Sequence, residues 1–179
     1  KPTKGADTIE TLAVLDAGLD LILERGDAPH LGILHMYIHA LEMSPTPERA
    51  LKAANQLFNL CPDVGHLQHM PAHIYVICGH YENAIKVSRK AITADEQYVN
   101  FAGRNNFYTT SRCHDLHMMM YASMFAGQFK PAIQAAHALR NTLSSDLLSE
   151  EQPHMATTLE GYHSTIMHVL VRFGKWHEI

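Results

Sequence analysis

The sequence lacks the features of disulfide-rich, membrane-spanning and nucleic-acid-binding proteins. It has only three cysteines, Cys61, Cys78 and Cys113, and they form no C-x-x-C pair. An odd number of scattered cysteines argues against a disulfide framework and is typical of a reducing compartment, so we expect a cytoplasmic protein. No apolar run reaches the roughly eighteen residues that span a bilayer, so we expect no membrane association. The net charge of −4 provides no basic surface, and we expect no nucleic-acid partner.

The common catalytic signatures are also missing. The nearest approach to the H-E-x-x-H motif of zinc peptidases is His35-Met-Tyr-Ile-His39, which lacks the glutamate that serves as general base. The run His39-Ala-Leu-Glu42 has the reverse order of the E-x-x-H motif found in di-iron bundles. No G-x-G-x-x-G, phosphate-binding-loop or G-x-S-x-G pattern occurs. No reaction is therefore indicated by a motif.

Histidine is the residue that the sequence has in excess. It occurs 14 times in 179 residues. Half of these histidines fall into three short runs, which are His35-Met-Tyr-Ile-His39, His66-Leu-Gln-His69-Met-Pro-Ala-His73 and His114-Asp-Leu-His117. Such clustering requires an explanation, because a histidine on an amphipathic helix is more often an isolated polar group.

Apolar residues recur with helical spacing along most of the chain, and no segment alternates with period two long enough to indicate a strand. The sequence therefore predicts an all-α protein of about eight helices, near residues 7–25, 29–43, 47–60, 65–78, 81–95, 107–126, 128–143 and 154–173. A further helix is predicted to start at Trp176, and the first residue is Lys1. We therefore expect residues 1–179 to be one domain that belongs to a longer protein, whose oligomeric state the sequence does not indicate.

The predicted helix pairs repeat. Small or apolar anchor residues stand at equivalent places in the second helix of each pair, at Ala50, Ala84, Ala132 and Ile179. The anchors are separated by 34, 48 and 47 residues, and the first interval is the tetratricopeptide period. The repeats cover roughly residues 29–62, 65–96, 107–144 and 154–179, and the helix at 7–25 precedes them.

The motif Gly79-His-Tyr81-Glu-Asn-Ala84 resembles the signature of tetratricopeptide (TPR) repeats, and Gly127-Gln-Phe129 and Gly174-Lys-Trp176 echo it. The first repeat departs from the signature, with prolines at 45 and 47. Together with the histidine runs, the segment 62–75 is similar to a mostly uncharacterised group of histidine-rich TPR proteins from bacteria and fungi. The resemblance implies a right-handed α-solenoid of antiparallel helix pairs, and it carries no established activity.

The histidines fall in register with the repeats. Fifteen residues before the anchors stand His35, His69, His117 and Ser164. Eleven residues before them stand His39, His73, Tyr121 and His168. Eighteen residues before them stand Gly32, His66, His114 and Gly161. With Glu42 at offset −8, these positions span a sector of roughly 80° on one face of each first helix. In TPR solenoids this face lines the concave groove, so the resemblance implies that the histidines of neighbouring repeats meet there.

Two histidines at positions i and i+4 of a helix can grip one metal ion, and imidazole suits zinc, copper and iron. We therefore predict a transition-metal site in which the pairs His35/His39 and His69/His73 face each other across adjacent repeats. The complete set of candidate ligands is His35, His39, His66, His69, His73, His114, His117 and Glu42. The alternative is a metal-free scaffold whose polar groove binds a peptide or protein partner, with histidines serving as hydrogen-bonding groups.

Three details stay open at this point. Glu42 is a metal ligand, a group that orients a ligand, or a surface charge on its helix. Pro71 either begins the fourth helix, which would leave His66 and His69 outside it, or kinks a longer helix. Met36, Met70 and Met118 each follow a histidine directly; thioether ligands would favour Cu(I), but helical geometry points these side chains towards a packing seam.

Overall fold

The computed structural model describes residues 5–149 and 153–179, which form an all-α fold in which no strand occurs. The α-helices are α1 (Thr8–Arg25), α2 (Leu31–Glu42), α3 (Leu51–Leu57), α4 (Gly65–Ile77), α5 (Tyr81–Ala102), α6 (Tyr108–Phe125), α7 (Phe129–Thr142), α8 (Pro153–Glu160) and α9 (Thr165–Arg172). Short 3₁₀ helices lie at Pro47–Ala50, Gly161–Ser164 and Trp176–Glu178. The predicted all-α class is confirmed. Among the described helices, none has the length and apolar character needed to cross a bilayer.

Several boundaries differ from those predicted. The third predicted helix begins with a 3₁₀ turn at Pro47–Ala50 and ends at Leu57, because Phe58 turns to ψ 124° and Asn59 has a φ of 67°. Helix α5 continues to Ala102, well beyond the predicted end at Asp95. The eighth predicted helix consists of α8 and α9, joined by the 3₁₀ turn Gly161–Ser164.

Helix α4 runs through Pro71 rather than starting there. It begins at Gly65, close to the predicted helix at 65–78, so His66 and His69 are helical, and of the two alternatives for Pro71 a helix start at this residue is excluded. An internal proline costs about 3 kcal/mol or more, because a backbone hydrogen bond is lost. The compensation comes from burial, since Met70, Ala72 and Ile74 around it are fully buried.

From α1 to α7 each helix packs against the next one in the chain, and the pairs α4/α5, α5/α6 and α6/α7 have the most extensive contacts. Short connections between packed helices reverse the chain direction. Helices α2, α4 and α6 also contact one another directly, α2 with α4 and α4 with α6. These three helices therefore lie in a row, and one face of the row carries the histidine runs.

The apolar core lies between this row and the intervening helices. One cluster joins α2, α3, α4 and the start of α5, and two further clusters lie around α6, α7 and the helices that follow. The anchors Ala50, Ala84 and Ala132 are fully buried, as expected for small residues where helices approach closely, whereas Ile179 is 56% exposed. The expected core position is confirmed for Met70 and wrong for Met36, which is 49% exposed.

Helices α4, α6 and α9 end in the same way. Gly79, Gly127 and Gly174 follow the ends of α4, α6 and α9 with φ values of 79°, 71° and 66°. In each case the next backbone N–H donates to a carbonyl five residues back, over 2.7 to 2.9 Å. This is the Schellman arrangement, which needs a residue in the left-handed region, and glycine adopts that region without strain.

Candidate metal centre

The row α2, α4 and α6 brings six of the predicted histidines into two compact groups. The outer group contains His35, His39 and His66, and the inner group contains His69, His73 and His114. Within each group, one candidate ligand atom per histidine lies within 4.8 Å of the others. Both groups can therefore hold a metal ion.

The composition of the groups follows one rule. Each group takes the histidines at offsets −15 and −11 from one repeat and the histidine at offset −18 from the next repeat. The first two lie on one helix at i and i+4, and the third reaches across from the adjacent helix of the row. The predicted clustering is present, but the pairs His35/His39 and His69/His73 do not face each other around a single point.

In the inner group the Nε2 atoms converge. His69 Nε2 and His73 Nε2 are 2.7 Å apart, and His114 Nε2 lies 3.3 Å from His73 Nε2. A neutral imidazole has one donor nitrogen and one acceptor nitrogen. When the three rings carry their protons on Nδ1, all three Nε2 atoms are acceptors and cannot form hydrogen bonds with one another. A cation at the point of convergence accepts all three lone pairs.

The outer group is more open to solvent. His35 Nε2 and His66 Nε2 are 3.0 Å apart, and the rings of His35 and His39 are edge-on with centroids separated by 4.8 Å. The side chain of His39 is 38% exposed. Neighbouring rings of the two groups are separated by only 6.3 Å (His39 to His73) and 6.4 Å (His66 to His69). The two groups are therefore adjacent parts of one centre.

Two acidic side chains face the opposite edges of the rings. Glu42 Oε1 lies 3.0 Å from His39 Nδ1, and Glu42 Oε2 lies 2.8 Å from His73 Nδ1. Asp115 Oδ1 lies 3.2 Å from His69 Nδ1, although the two atoms are not aligned as a hydrogen bond. A carboxylate at Nδ1 favours the tautomer in which Nε2 is free to bind a metal, and such partners are usual for metal-binding histidines. Of the three roles considered for Glu42, its contacts match that of a group that orients ligands.

Asp115 belongs to a buried polar network behind the inner group. Asp115 and Asp95 are both fully buried, and Tyr108 donates its hydroxyl hydrogen to Asp95 Oδ1 over 2.7 Å. Burial raises the pKa of Asp115 well above its usual range, and the neighbouring Asp95 raises it further. The sequence did not identify Asp95, Asp115 or Tyr108 as candidates. The one sequence feature that points to Asp115 is its position within the run His114-Asp-Leu-His117, on a helix face that is mostly buried.

The centre favours neutral imidazoles. Burial lowers the pKa of His35, His66 and His114, and it lowers the pKa of His69 well below 6.5. Burial also lowers the pKa of His73 to about 4, although the Glu42 carboxylate opposes this shift. Neighbouring histidines add to these pKa shifts except at His114, where Glu42 opposes the shift, because positive rings this close together repel each other. The neutral ring is the form that binds a metal.

These shifts predict a weak pH dependence of metal binding. Three independent histidines with an ordinary pKa of about 6.5 would lose roughly fifty-fold in apparent affinity between pH 7.5 and 6.0, because protons compete for the rings. Here we expect a loss below about ten-fold for the inner group, since its lowered pKa values keep the rings neutral at pH 6. Competition titrations of zinc against a chelator at both pH values measure this. A fifty-fold loss would contradict the expectation.

The structure does not bring the predicted ligand His117 into either group. Its ring lies 5.5 Å from the Tyr162 ring and 6.3 Å from the Tyr121 ring. The register explains this, because the partners that the rule requires for His117 are Tyr121 at offset −11 and Gly161 at offset −18. The series of histidine groups ends where these two histidines are replaced.

A separate cleft of about 490 Å³ lies between α1, α2 and the segment Pro47–Leu57. Three of its lining residues contact one another: Arg49 lies 2.9 Å from Asp16, and the Tyr37 hydroxyl donates a hydrogen bond to Asp16 over 2.8 Å. None of the six grouped histidines lines this cleft. The histidine centre and this cleft are therefore at different places.

Comparison of the chain with known protein families, with curated proteins and with solved structures gives no match. The TPR resemblance therefore depends on the sequence motifs alone. The functional argument depends on the two histidine groups, which can each hold a metal ion.

Proposed function

We propose that this protein binds two transition-metal ions, one in each histidine group, within a TPR-like right-handed α-solenoid. The observation that carries the proposal is the pair of adjacent three-histidine groups. Glu42 faces the Nδ1 atoms of His39 and His73, and Asp115 faces that of His69. Converging neutral imidazoles cannot satisfy all of their acceptor nitrogens with one another, and a cation would take the remaining lone pairs. Neither group contains a thiolate, which fits zinc, copper or iron held by imidazole nitrogen.

The repeated helix ends support the solenoid. The Schellman endings at Gly79, Gly127 and Gly174, the buried anchors and the direct contacts within the row α2, α4 and α6 recur with the repeats. Each repeat of a solenoid contacts mainly its neighbours, which is how the histidines of one repeat meet the next.

The donor set suits metal-assisted hydrolysis. An ion held by three imidazoles keeps a position for water, whose pKa falls to near 7 on zinc. The chain supplies what such chemistry needs around the ion: Glu42 fixes His39 and His73, and the exposed edge of His39 leaves the outer group open to solvent. We therefore propose a hydrolytic metalloenzyme, with the outer group nearest to the substrate.

A second candidate is a scaffold that binds a peptide or protein partner. The cleft beside Arg49 favours it, since its lining combines Lys52, three aspartates and apolar side chains of α1. Charged groups of both signs beside apolar side chains are typical of recognition surfaces.

Metal analysis of protein purified without a histidine tag separates the two candidates. We expect two equivalents of zinc after reconstitution, one in His39→Asn, one in His114→Asn and none in the double variant. His137→Asn is the matched control, because His137 is exposed on α7 and outside both groups. The loaded protein should hydrolyse an activated phosphodiester or ester, and the double variant should not. Less than about 0.2 equivalents would favour the scaffold.

A further inference from the structure

One carboxylate links the two histidine groups. Glu42 presents Oε1 to His39 of the outer group and Oε2 to His73 of the inner group, over 3.0 and 2.8 Å. A carboxylate only accepts hydrogen bonds, so the hydrogen bond from His39 requires a proton on its Nδ1, and the close ion-pair contact favours a proton on Nδ1 of His73 as well. In a neutral ring this leaves Nε2 as the lone pair on the metal-binding side of both groups.

The two groups differ in their surroundings. In the inner group His69 is fully buried, and the buried Asp115 lies behind it. In the outer group the side chain of His39 is 38% exposed, and His35 and His66 are half-buried. A buried, pre-oriented set of ligands loses less side-chain freedom on binding than an exposed set does. The inner group is therefore the better organised of the two before any ion arrives.

We propose that the two sites fill in order and are coupled through Glu42, an inference that rests on the proposed binding of two ions. An ion in the inner group fixes His73 by its Nε2, which holds Glu42 by Oε2 and leaves Oε1 aimed at His39. The outer group then receives its ion with His39 already oriented. The coupling free energy is reciprocal, so an ion in the outer group strengthens binding of an ion in the inner group by the same factor.

A double-mutant cycle on zinc affinity tests the coupling. Competition against a fluorescent zinc chelator gives the affinity of each step in the wild type, His114→Asn, Glu42→Gln and the double variant. We expect His114→Asn to weaken outer binding by about 10-fold or more, the range found when partners of metal ligands are removed. In the Glu42→Gln background the same substitution should change outer binding less than about two-fold.

Glutamine is the informative replacement because it keeps the shape of glutamate and removes one acceptor. It can accept the Nδ1 proton of only one of the two histidines, so the link is broken without leaving a cavity. Glu24→Gln, on the exposed face of α1, is the matched control and should leave both zinc affinities unchanged. Far-ultraviolet circular dichroism confirms that each variant keeps its helices.

The reciprocal measurement uses His39→Asn, which alters an exposed side chain and leaves the buried polar network intact. It should weaken inner binding by the same factor that His114→Asn weakens outer binding. If His114→Asn does not fold, the zinc affinity of the inner group in His39→Asn tests the coupling by itself. Independent zinc affinities, unaffected by Glu42→Gln, would overturn the coupling and leave two-ion binding intact. Failure to bind two ions would overturn the proposed function as well.

Discussion

Replacing both Tyr121 and Gly161 with histidine is expected to raise the number of bound zinc ions from two to three. The two substitutions complete a group around His117 by the rule that describes the outer and inner groups, with ligands at offsets −15, −11 and −18. His117 and Tyr121 already lie on one helix at i and i+4. The third ligand would come from the 3₁₀ turn Gly161–Ser164.

The local structure favours this design. The ring of Tyr162 lies 5.5 Å from the ring of His117, so the 3₁₀ turn is beside it. A Cβ atom added at Gly161 meets no atom within 4 Å, and Tyr121 is 38% exposed, so neither replacement disturbs the core. Burial and the neighbouring His114 and His168 lower the pKa of His117, which keeps its ring in the metal-binding form.

Elemental analysis of the dialysed protein measures the third ion. The single variants Tyr121→His and Gly161→His are the matched controls, and each should retain two ions because each offers His117 only one new partner. A double variant that folds and still binds two ions would show that the register of the first two groups does not extend to the third pair of helices.

The substitution Gly65→Ala is expected to destabilise the protein and weaken the outer group. A Cβ atom at Gly65 would lie 1.9 Å from Asp95 Oδ1 and 2.9 Å from the Tyr108 hydroxyl oxygen. Asp95 cannot move away easily, since it is fully buried and bonded to Tyr108. Overpacking of this kind costs about 1–3 kcal/mol of unfolding free energy. His66, the next residue, would be displaced from His35, so zinc affinity should fall too.

The sign of the change in melting temperature distinguishes overpacking from a purely local effect. Helix propensity alone favours alanine over glycine by about 1 kcal/mol, so a purely local effect would raise the melting temperature. We expect a fall of roughly 2–4 °C per kcal/mol for a chain of this size, measured by thermal unfolding of the metal-free protein. Gly161→Ala, where the added Cβ meets open space, is the control and should not lower it. An unchanged or higher melting temperature for Gly65→Ala would refute the packing argument.

Much of the centre could be predicted from the sequence, because helical periodicity is a local property. The histidines at offsets −15 and −11 were assigned to one face of each first helix, and the structure places both pairs on single helices. Each pair lies within one group. The third ligands, His66 and His114, are also among the predicted ligands, but the sequence does not assign each of them to a particular pair, since each comes from offset −18 of the following repeat. Their positions depend on how far one helix is shifted along the next, which spacing within a helix does not determine.

The carboxylates show the same limit. Glu42 was a candidate because it continues the histidine face of α2, but its contact with His73 crosses to α4. Asp95, Asp115 and Tyr108 come from α5 and α6 and were not candidates at all. Isolated aspartates within a helix are usually solvated, and only the packing of α5 and α6 against α4 buries these two.

By itself, the sequence determined the all-α class, the helix pairs, and which side chains share a helix face. Those properties follow from the 3.6-residue turn and from residues that stop helices, and both act within a few positions of the chain. Only the tertiary structure decided that six rings meet in two groups of three, that Glu42 lies between them, and that His117 is left out. These outcomes depend on contacts between helices far apart in the chain, whose relative shift is set by core packing.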